Sequence, residues 1–297
     1  MNQLKFMSFN ILADAPIWKT KYDHIKKEEF MFWDYRKKLI LEIISTHSPD
    51  ICLLCEVEYN KLSFFTNFCL INNYGYIYTS HDPNKLDSSL KKYKDYNNTK
   101  NPGNLIIFKL DIVRIINNTA PDYVNYFIRK SKKYNWNEET TNDFILPTVS
   151  NIVQFEINKS GIRFFFIGLH HPYTKENVQK EQIEFLLKKI KKLNNIYNYP
   201  EIICGDFNIT PNNIVYDIME SNNYNSVYKL IQNVENKYTI SNDHYRNTLD
   251  YIFINNKCKA INVTHIDEKY MENNILPNIE YPSDHMFLVS IISFNNL

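Results

Sequence analysis

The sequence lacks a charge imbalance. Its 34 lysines and arginines face 33 aspartates and glutamates, a formal net charge of +1. No global field draws this chain to nucleic acid, and any basic groove has to be local. It also lacks a long apolar run. No stretch reaches about 18 residues, the length read as a membrane span, and the opening MNQLKFMSFNILAD is not built like a secretory signal. A membrane partner is therefore not expected. Cysteine is sparse and odd in number: Cys52, Cys55, Cys69, Cys204 and Cys258. Cys52 and Cys204 lie in apolar, strand-like runs, which reads as buried free thiols in a reducing, cytoplasmic compartment. Cys52 and Cys55 have CxxC spacing, but no second pair follows to complete a zinc site. There is no internal repeat, no P-loop and no evident Ser/His/Asp or Cys/His set.

What the chain has is apolar and aromatic mass. Hydrophobic residues make up 44% and aromatics 15%, with 22 tyrosines and 19 phenylalanines, so 297 residues can bury a sizeable core. We read residues 1–297 as one domain. The pattern centres on EIICGDFNITPNN, Glu201–Asn213. Ile202–Cys204 reads as a buried strand, and Gly205 as the residue that lets the backbone turn. Alternation then puts Asp206 and Asn208 on one side and Phe207 on the other. The bland alternative is an Asx-type turn in which both polar side chains serve the backbone.

Other strands end the same way. Leu4–Leu12 carries Asn10. Ile51–Leu54 leads into Glu56 and a solvent-facing Glu58. Ile162–Leu169, paired with Ser150–Glu156 through a Lys159–Gly161 turn, ends in His170, His171 and Pro172. Thr248–Ile254 holds Asp250, and an acid inside an apolar strand needs a partner. Ser283, Asp284 and His285 precede a strand at Met286–Phe294, where Asp284 beside His285 reads as the group that orients the imidazole. Helices are predicted at Trp33–Thr46, with Arg36 off its apolar face, at Leu62–Ile71, at Lys175–Asn194 capped by Thr174, and at Ile214–Ser221. Residues 82–104 and 118–148 read as irregular insertions that interleave lysines and tyrosines. Such runs are usually solvated loops; the alternative is a substrate loop with lysines on phosphates and tyrosines under bases.

Asn10, Glu56, His170, Asp206, Asn208, Asp250, Asp284 and His285 thus all sit at strand starts or ends. Carboxylates, amides and histidines suit Mg²⁺, or Mn²⁺ in its place, and the hydrolysis of phosphate esters. In order, SFN (Ser8–Asn10), PDICLLCEVE (Pro49–Glu58), GLHH (Gly168–His171), GDFN (Gly205–Asn208), LDYIFI (Leu249–Ile254) and PSDH (Pro282–His285) resemble the endonuclease/exonuclease/phosphatase superfamily over nearly the whole chain. FNILAD at Phe9–Asp14, the WxxR of Trp33–Arg36 and the EVE of Glu56–Glu58 look most like its deadenylase branch, the nocturnin and Angel group. One departure is Cys55, where that family usually has Gln.

The resemblance implies an α/β fold of two packed mixed β-sheets flanked by helices, a four-layer sandwich. It implies Glu56 as the principal Mg²⁺ ligand with Asn10 beside it, and Asp206 on the attacking water. Asn208 and His170 would hold the scissile phosphate, with register favouring His170 over His171. His285, oriented by Asp284, would be a further acid/base group, and Asp250 would support the metal or the water. Tyr245 would stack on a base, with Pro172 as the opposite wall. The implied partner is an RNA or nucleotide substrate. The implied reaction is deadenylase-like shortening of RNA from its 3′ end by a monomer; the alternative is removal of a 2′-, 3′- or cyclic phosphate at the same site.

Overall fold

The structure, a computed structural model, describes residues 2–14, 22, 28–80, 102–145, 148–242, 245–265, 270 and 276–294. Two six-stranded mixed sheets form the framework. The first runs, edge to edge, through β13 (Cys258–Val263), β14 (Leu288–Phe294), β1 (Gln3–Asn10), β2 (Ile51–Glu58), β4 (Pro102–Lys109) and β3 (Tyr74–Ser80). The second runs through β5 (Val113–Thr119), β6 (Val149–Ile157), β7 (Arg163–His170), β8 (Glu201–Asp206), β12 (Asp250–Asn255) and β9 (Tyr224–Ser226). A small hairpin, β10 (Ile240–Asn242) with β11 (Tyr245–Asn247), stands apart from both.

Each sheet has one parallel pair at its centre, β1 with β2 and β7 with β8. Parallel neighbours need a crossover, and helices supply it. Helix α1 (Trp33–His47) crosses the first pair. Helix α5 (Glu176–Asn194) crosses the second. Between them in sequence lie α2 (Leu62–Ile71), α3 (Tyr123–Tyr134) and α4 (Glu138–Phe144). After them come α6 (Ile214–Ser221) and α7 (Val227–Gln232).

Strand alternation sorts the apolar side chains into layers. Phe6, Leu53, Ile106, Val153, Phe166 and Ile202 meet between the sheets, and Phe6 stacks on Phe166 with ring centroids 5.9 Å apart. On the outer face of the first sheet Met7, Phe9 and Leu54 pack against Ile40, Ile44 and Phe65. On that of the second, Ile167, Ile203 and Phe253 pack against Ile183, Leu186 and Ile190. The result is the helix–sheet–sheet–helix sandwich expected from the sequence. Cys52 falls in an outer layer and Cys55 in the inter-sheet layer, so the CxxC pair points to opposite faces. All five thiols are buried and free.

Several expectations change. Residues 118–145 are not an irregular insertion: α3 and α4 pack Phe127 and Phe144 against Phe185 of α5, and Lys132 and Lys133 face outward. Of the 82–104 insertion, residues 82–101 lie outside the described residues, while Pro102–Asn104 open β4. Glu58 is buried, not solvent-facing, and Arg36 is buried as well. The N-cap of α5 is Lys175 rather than Thr174, and no side chain caps it.

Gly205 is part of β8 rather than a turn. Its φ of +143° is left-handed backbone that favours glycine, and a Cβ there would meet the Leu169 carbonyl oxygen at 1.7 Å. The neighbour is backbone and cannot swing aside. Gly205→Ala should therefore destabilise the fold by about 3 kcal/mol or more, read from urea unfolding midpoints at unchanged m. Wild-type stability in that variant would show that β7 and β8 are not held this closely.

Candidate active site

The two parallel pairs place their carboxyl ends at one rim. Asn10 lies opposite Cys55 across β1 and β2, and His170 opposite Asp206 across β7 and β8. The antiparallel neighbours begin at that same rim. Asp250, first residue of β12, faces Asp206, and His285 lies just ahead of β14, beside the end of β1. Chain positions from 10 to 285 thus converge on the mouth of the sandwich.

At the centre, the side-chain amide of Asn10 donates to Glu56 Oε1 and to Asp206 Oδ2, both at 3.0 Å. Glu56 and Asp206 belong to different sheets, so this one nitrogen links them. Glu56 Oε2 accepts from the Ala13 backbone N–H at 2.7 Å, and Asn10 Oδ1 from that of Leu12 at 3.0 Å. His170 Nε2 stands 3.8 Å from both Glu56 Oε1 and Asp206 Oδ2. His171 is elsewhere. It is fully buried, its ring meets Phe207 edge-on, and neither ring nitrogen has a partner among the described residues. Burial, then the neighbouring His170, pushes its pKa down to about 3, so it stays neutral.

Both readings of GDFN are realised at once. Asp206 Oδ1 accepts from the Asn208 backbone N–H at 2.8 Å, an Asx turn, while Oδ2 faces Asn10 and the histidines. Phe207 turns into the outer core. Asn208, in left-handed backbone at φ 50°, donates its side-chain amide to the His171 carbonyl at 2.7 Å. Gln179 of α5 holds this turn through the carbonyls of Asn208 (2.9 Å) and Pro172 (3.2 Å). Burial, then the charge of Asp250, raises the Asp206 carboxyl to about 6, against the pull of His285 and His170.

The sequence reading mispaired His285. Its Nδ1 lies 2.9 Å from Asp250 Oδ2, and its Nε2 lies 3.8 Å from Asp206 Oδ2. Asp284 instead accepts from the Tyr22 hydroxyl at 2.5 Å. Asp284 and His285 are adjacent at a bend ahead of β14, and their side chains go to different partners. Asp250, 35 positions away, is the residue that orients the ring. Burial alone would lower the His285 pKa, but Asp250, Asp206 and Asp284 outweigh it and hold the pKa well above the ordinary range. Ser283 completes the support, donating to the Asn10 carbonyl at 2.6 Å and accepting from the His285 N–H at 3.1 Å. The β10–β11 hairpin braces the other side: Thr239 Oγ1 accepts from the backbone N–H of Leu249 and of Asp250.

Glu56 reaches the centre through strained backbone. Its φ is 65°, and the β2–β4 register slips between Leu54 and Val57. A bulge at this point aims an acid that regular alternation would place differently. The segment after Asn10 is clamped by Arg36, whose Nη1 donates to the carbonyls of Ile11 (2.8 Å), Leu12 (2.9 Å) and Pro282 (3.2 Å). Tyr245 is half-buried at the edge of the site. Burial, then Tyr173 and Asp206 nearby, raises its phenol pKa. Pro172 is half-exposed beside His171, and Tyr173, the next residue of the strand-end run, is exposed. Tyr22 was also missed, for it lies in a stretch with no periodic pattern; Ser283 and Arg36 were visible only as members of the PSDH and WxxR runs.

Glu56, His170 and Asp206 present ligand atoms within 4.8 Å of one another, as do Asp206, Asp250 and His285. One amide nitrogen is all that separates the inner oxygens of two buried carboxylates. A divalent cation fits that surplus of negative charge, and oxygen donors suit a hard one.

Comparison with known proteins shows what the chain is similar to. The model of the Endonuclease/Exonuclease/phosphatase family matches residues 7–285. Rat (Rattus norvegicus) nocturnin is 30% identical over 311 residues, covering 98% of this chain and 66% of its own length. A probable CCR4-Not complex 3′-5′-exoribonuclease subunit Ccr4 of Vairimorpha ceranae is 25% identical over 282 residues, 86% of this chain and 57% of that protein. The chain thus spans between 57% and 66% of the length of these relatives. Among solved structures, the human nocturnin catalytic domain with bound sulfate superposes with a TM-score of 0.73 at 25% identity, covering 99% of this chain and 95% of that one.

The buried His171 has a signature in pH. It is neutral when folded and titrates near 6.5 when unfolded, so the unfolded state binds the extra proton. Its contribution is intact above about 6.5 and is lost as pH falls toward 3, with a slope of up to about 1.4 kcal/mol per pH unit. His171→Phe should flatten the fall in stability between pH 7 and pH 4 in urea titrations. An unchanged slope would mean that His171 is not held neutral.

Proposed function

The chain belongs to the endonuclease/exonuclease/phosphatase family, and from that premise we propose that it is a Mg²⁺-dependent phosphodiesterase that shortens RNA from its 3′ end. The observation that carries this reading is the Asn10-bridged pair Glu56–Asp206, with His170 and His285 each 3.8 Å from Asp206. The name of the Ccr4 relative, a probable 3′-5′-exoribonuclease subunit, supports RNA 3′ ends as the substrate. Five free, buried thiols support action in the cytoplasm, and we take the active form to be a monomer.

In this reading Glu56, with Asn10 beside it, holds the ion, which supplies neutralisation of charge on the phosphate oxygens. Asp206 takes the proton of the attacking water. Water adds to the terminal phosphodiester as the bond from phosphorus to the 3′ oxygen breaks. The released nucleotide keeps the phosphate at its 5′ position, and the leaving 3′ oxygen takes a proton from solvent, so the shortened RNA ends in a 3′ hydroxyl. His170 and Asn208 hold the phosphate. His285, oriented by Asp250, faces the developing charge. Tyr245 supplies a face for the departing base, with Pro172 opposite.

Glu56→Ala and Asp206→Ala should each lower turnover of a 5′-labelled RNA with a short 3′ poly(A) tail by about 10³-fold or more, with circular dichroism unchanged. The wild-type protein should shorten the tail stepwise with Mg²⁺ and stop on addition of EDTA. Release of a terminal phosphate without shortening would replace this reading with the phosphatase one, and full activity in either folded variant would remove the site assignment.

A further inference from the structure

A second polar feature lies on the rim that carries the active site. Val149, first residue of β6, pairs with His170, and Ser80, last residue of β3, pairs with Gly103 of β4. Just outside His170 these strand ends border a cavity of about 110 Å³, lined on its polar side by Thr79, Ser80, Thr148, Ser150 and Tyr123. That is roughly the room of four waters, the scale of a sugar ring rather than of a polymer groove.

Apart from Asp122, its polar lining is uncharged hydrogen-bonding chemistry with capacity left over. Thr148 is buried, and its Oγ1 has no partner among the described residues. Two fully buried amides stand behind the wall. Asn104 donates Nδ2 to the Val149 carbonyl at 3.1 Å, and Asn151 donates to Thr79 Oγ1. The Oδ1 atoms of both are also without a partner among the described residues. Ser150 and Tyr123 share one hydrogen bond of 3.0 Å, so between them a hydroxyl has room for another. Buried polar groups left over in this way mark a ligand or an ordered water. Among the described residues its lining has no lysine or arginine, and it includes Asp122. A phosphate is therefore the wrong occupant. A group that both donates and accepts is the right one.

We propose that this cavity is a ribose subsite, which takes the 2′-hydroxyl of the nucleotide flanking the scissile phosphate, with Thr148 as its principal contact. The inference deepens the RNA 3′-end reading and rests on it. The 2′-hydroxyl is the group by which a protein distinguishes RNA from DNA. An active site whose phosphate chemistry serves either polymer would gain its preference here.

The test compares the wild-type protein on an all-ribose oligonucleotide with the same sequence carrying one 2′-deoxy nucleotide at the last or the penultimate position. The subsite predicts that one of these replacements lowers kcat/KM about 10-fold, mostly through KM. Thr148→Val should impose the same loss on the all-ribose substrate and add nothing to the loss from the 2′-deoxy one, a non-additivity that a general structural defect would not produce. Equal cleavage of all three substrates by the wild-type protein overturns the subsite and leaves the RNA 3′-end reading standing; it would mean that the cavity holds an ordered water only. Equal losses from Thr148→Val on ribose and 2′-deoxy substrates also overturn it. Cleavage of none of the oligonucleotides overturns both readings together.

Discussion

One amide nitrogen holds the two halves of this molecule in register. Asn10 Nδ2 is bonded at once to a carboxylate of each sheet, Glu56 on β2 and Asp206 on β8. The bond can exist only if the parallel pairs end at the same height, and that height is set by the face-to-face packing of Phe6, Leu53, Phe166 and Ile202 beneath it. Two buried carboxylates repel, and they persist because donors are fixed around them. Asn10 supplies one, the Ala13 backbone another, and the Asn208 backbone a third. A divalent cation would relieve what remains.

Regular backbone geometry gives way where the side chains must face inward. Leu12, Glu56 and Asn208 all have φ between 50° and 65°. Three such residues around one site are held there by neighbours: Arg36 on the carbonyls of Ile11 and Leu12, the slipped β2–β4 register at Glu56, Gln179 on Asn208. Strain of this kind concentrates where geometry matters more than stability.

Much of this was legible in the amino-acid sequence. Apolar runs such as RFFFIGL and EIICG name their strands, and α5 is periodic enough to stand out. A polar residue at the end of each such strand points to the rim. The misreadings have a shared cause. Asp284 was paired with His285 because they adjoin in sequence, whereas the partner, Asp250, is brought close by β12 running antiparallel to β8. Gly205 read as a turn because the Leu169 carbonyl that excludes a side chain lies on another strand. Residues 118–148 read as irregular because α3 and α4 bury only a few rings against α5 and leave a charged outer surface. Arg36 read as exposed because its acceptors are backbone carbonyls, which carry no mark in the residue code.

The convergence of distant chain segments also bears on timing during synthesis. A growing chain can complete β1, β2, β7 and β8, and so set Glu56 beside Asp206, while the segment that carries His285 has yet to be made. Until β14 is laid down against β1, Ser283 cannot reach the Asn10 carbonyl and His285 cannot reach Asp250. The histidine that stands 3.8 Å from Asp206 Oδ2 on the first-sheet side is thus the last part of the site to be made.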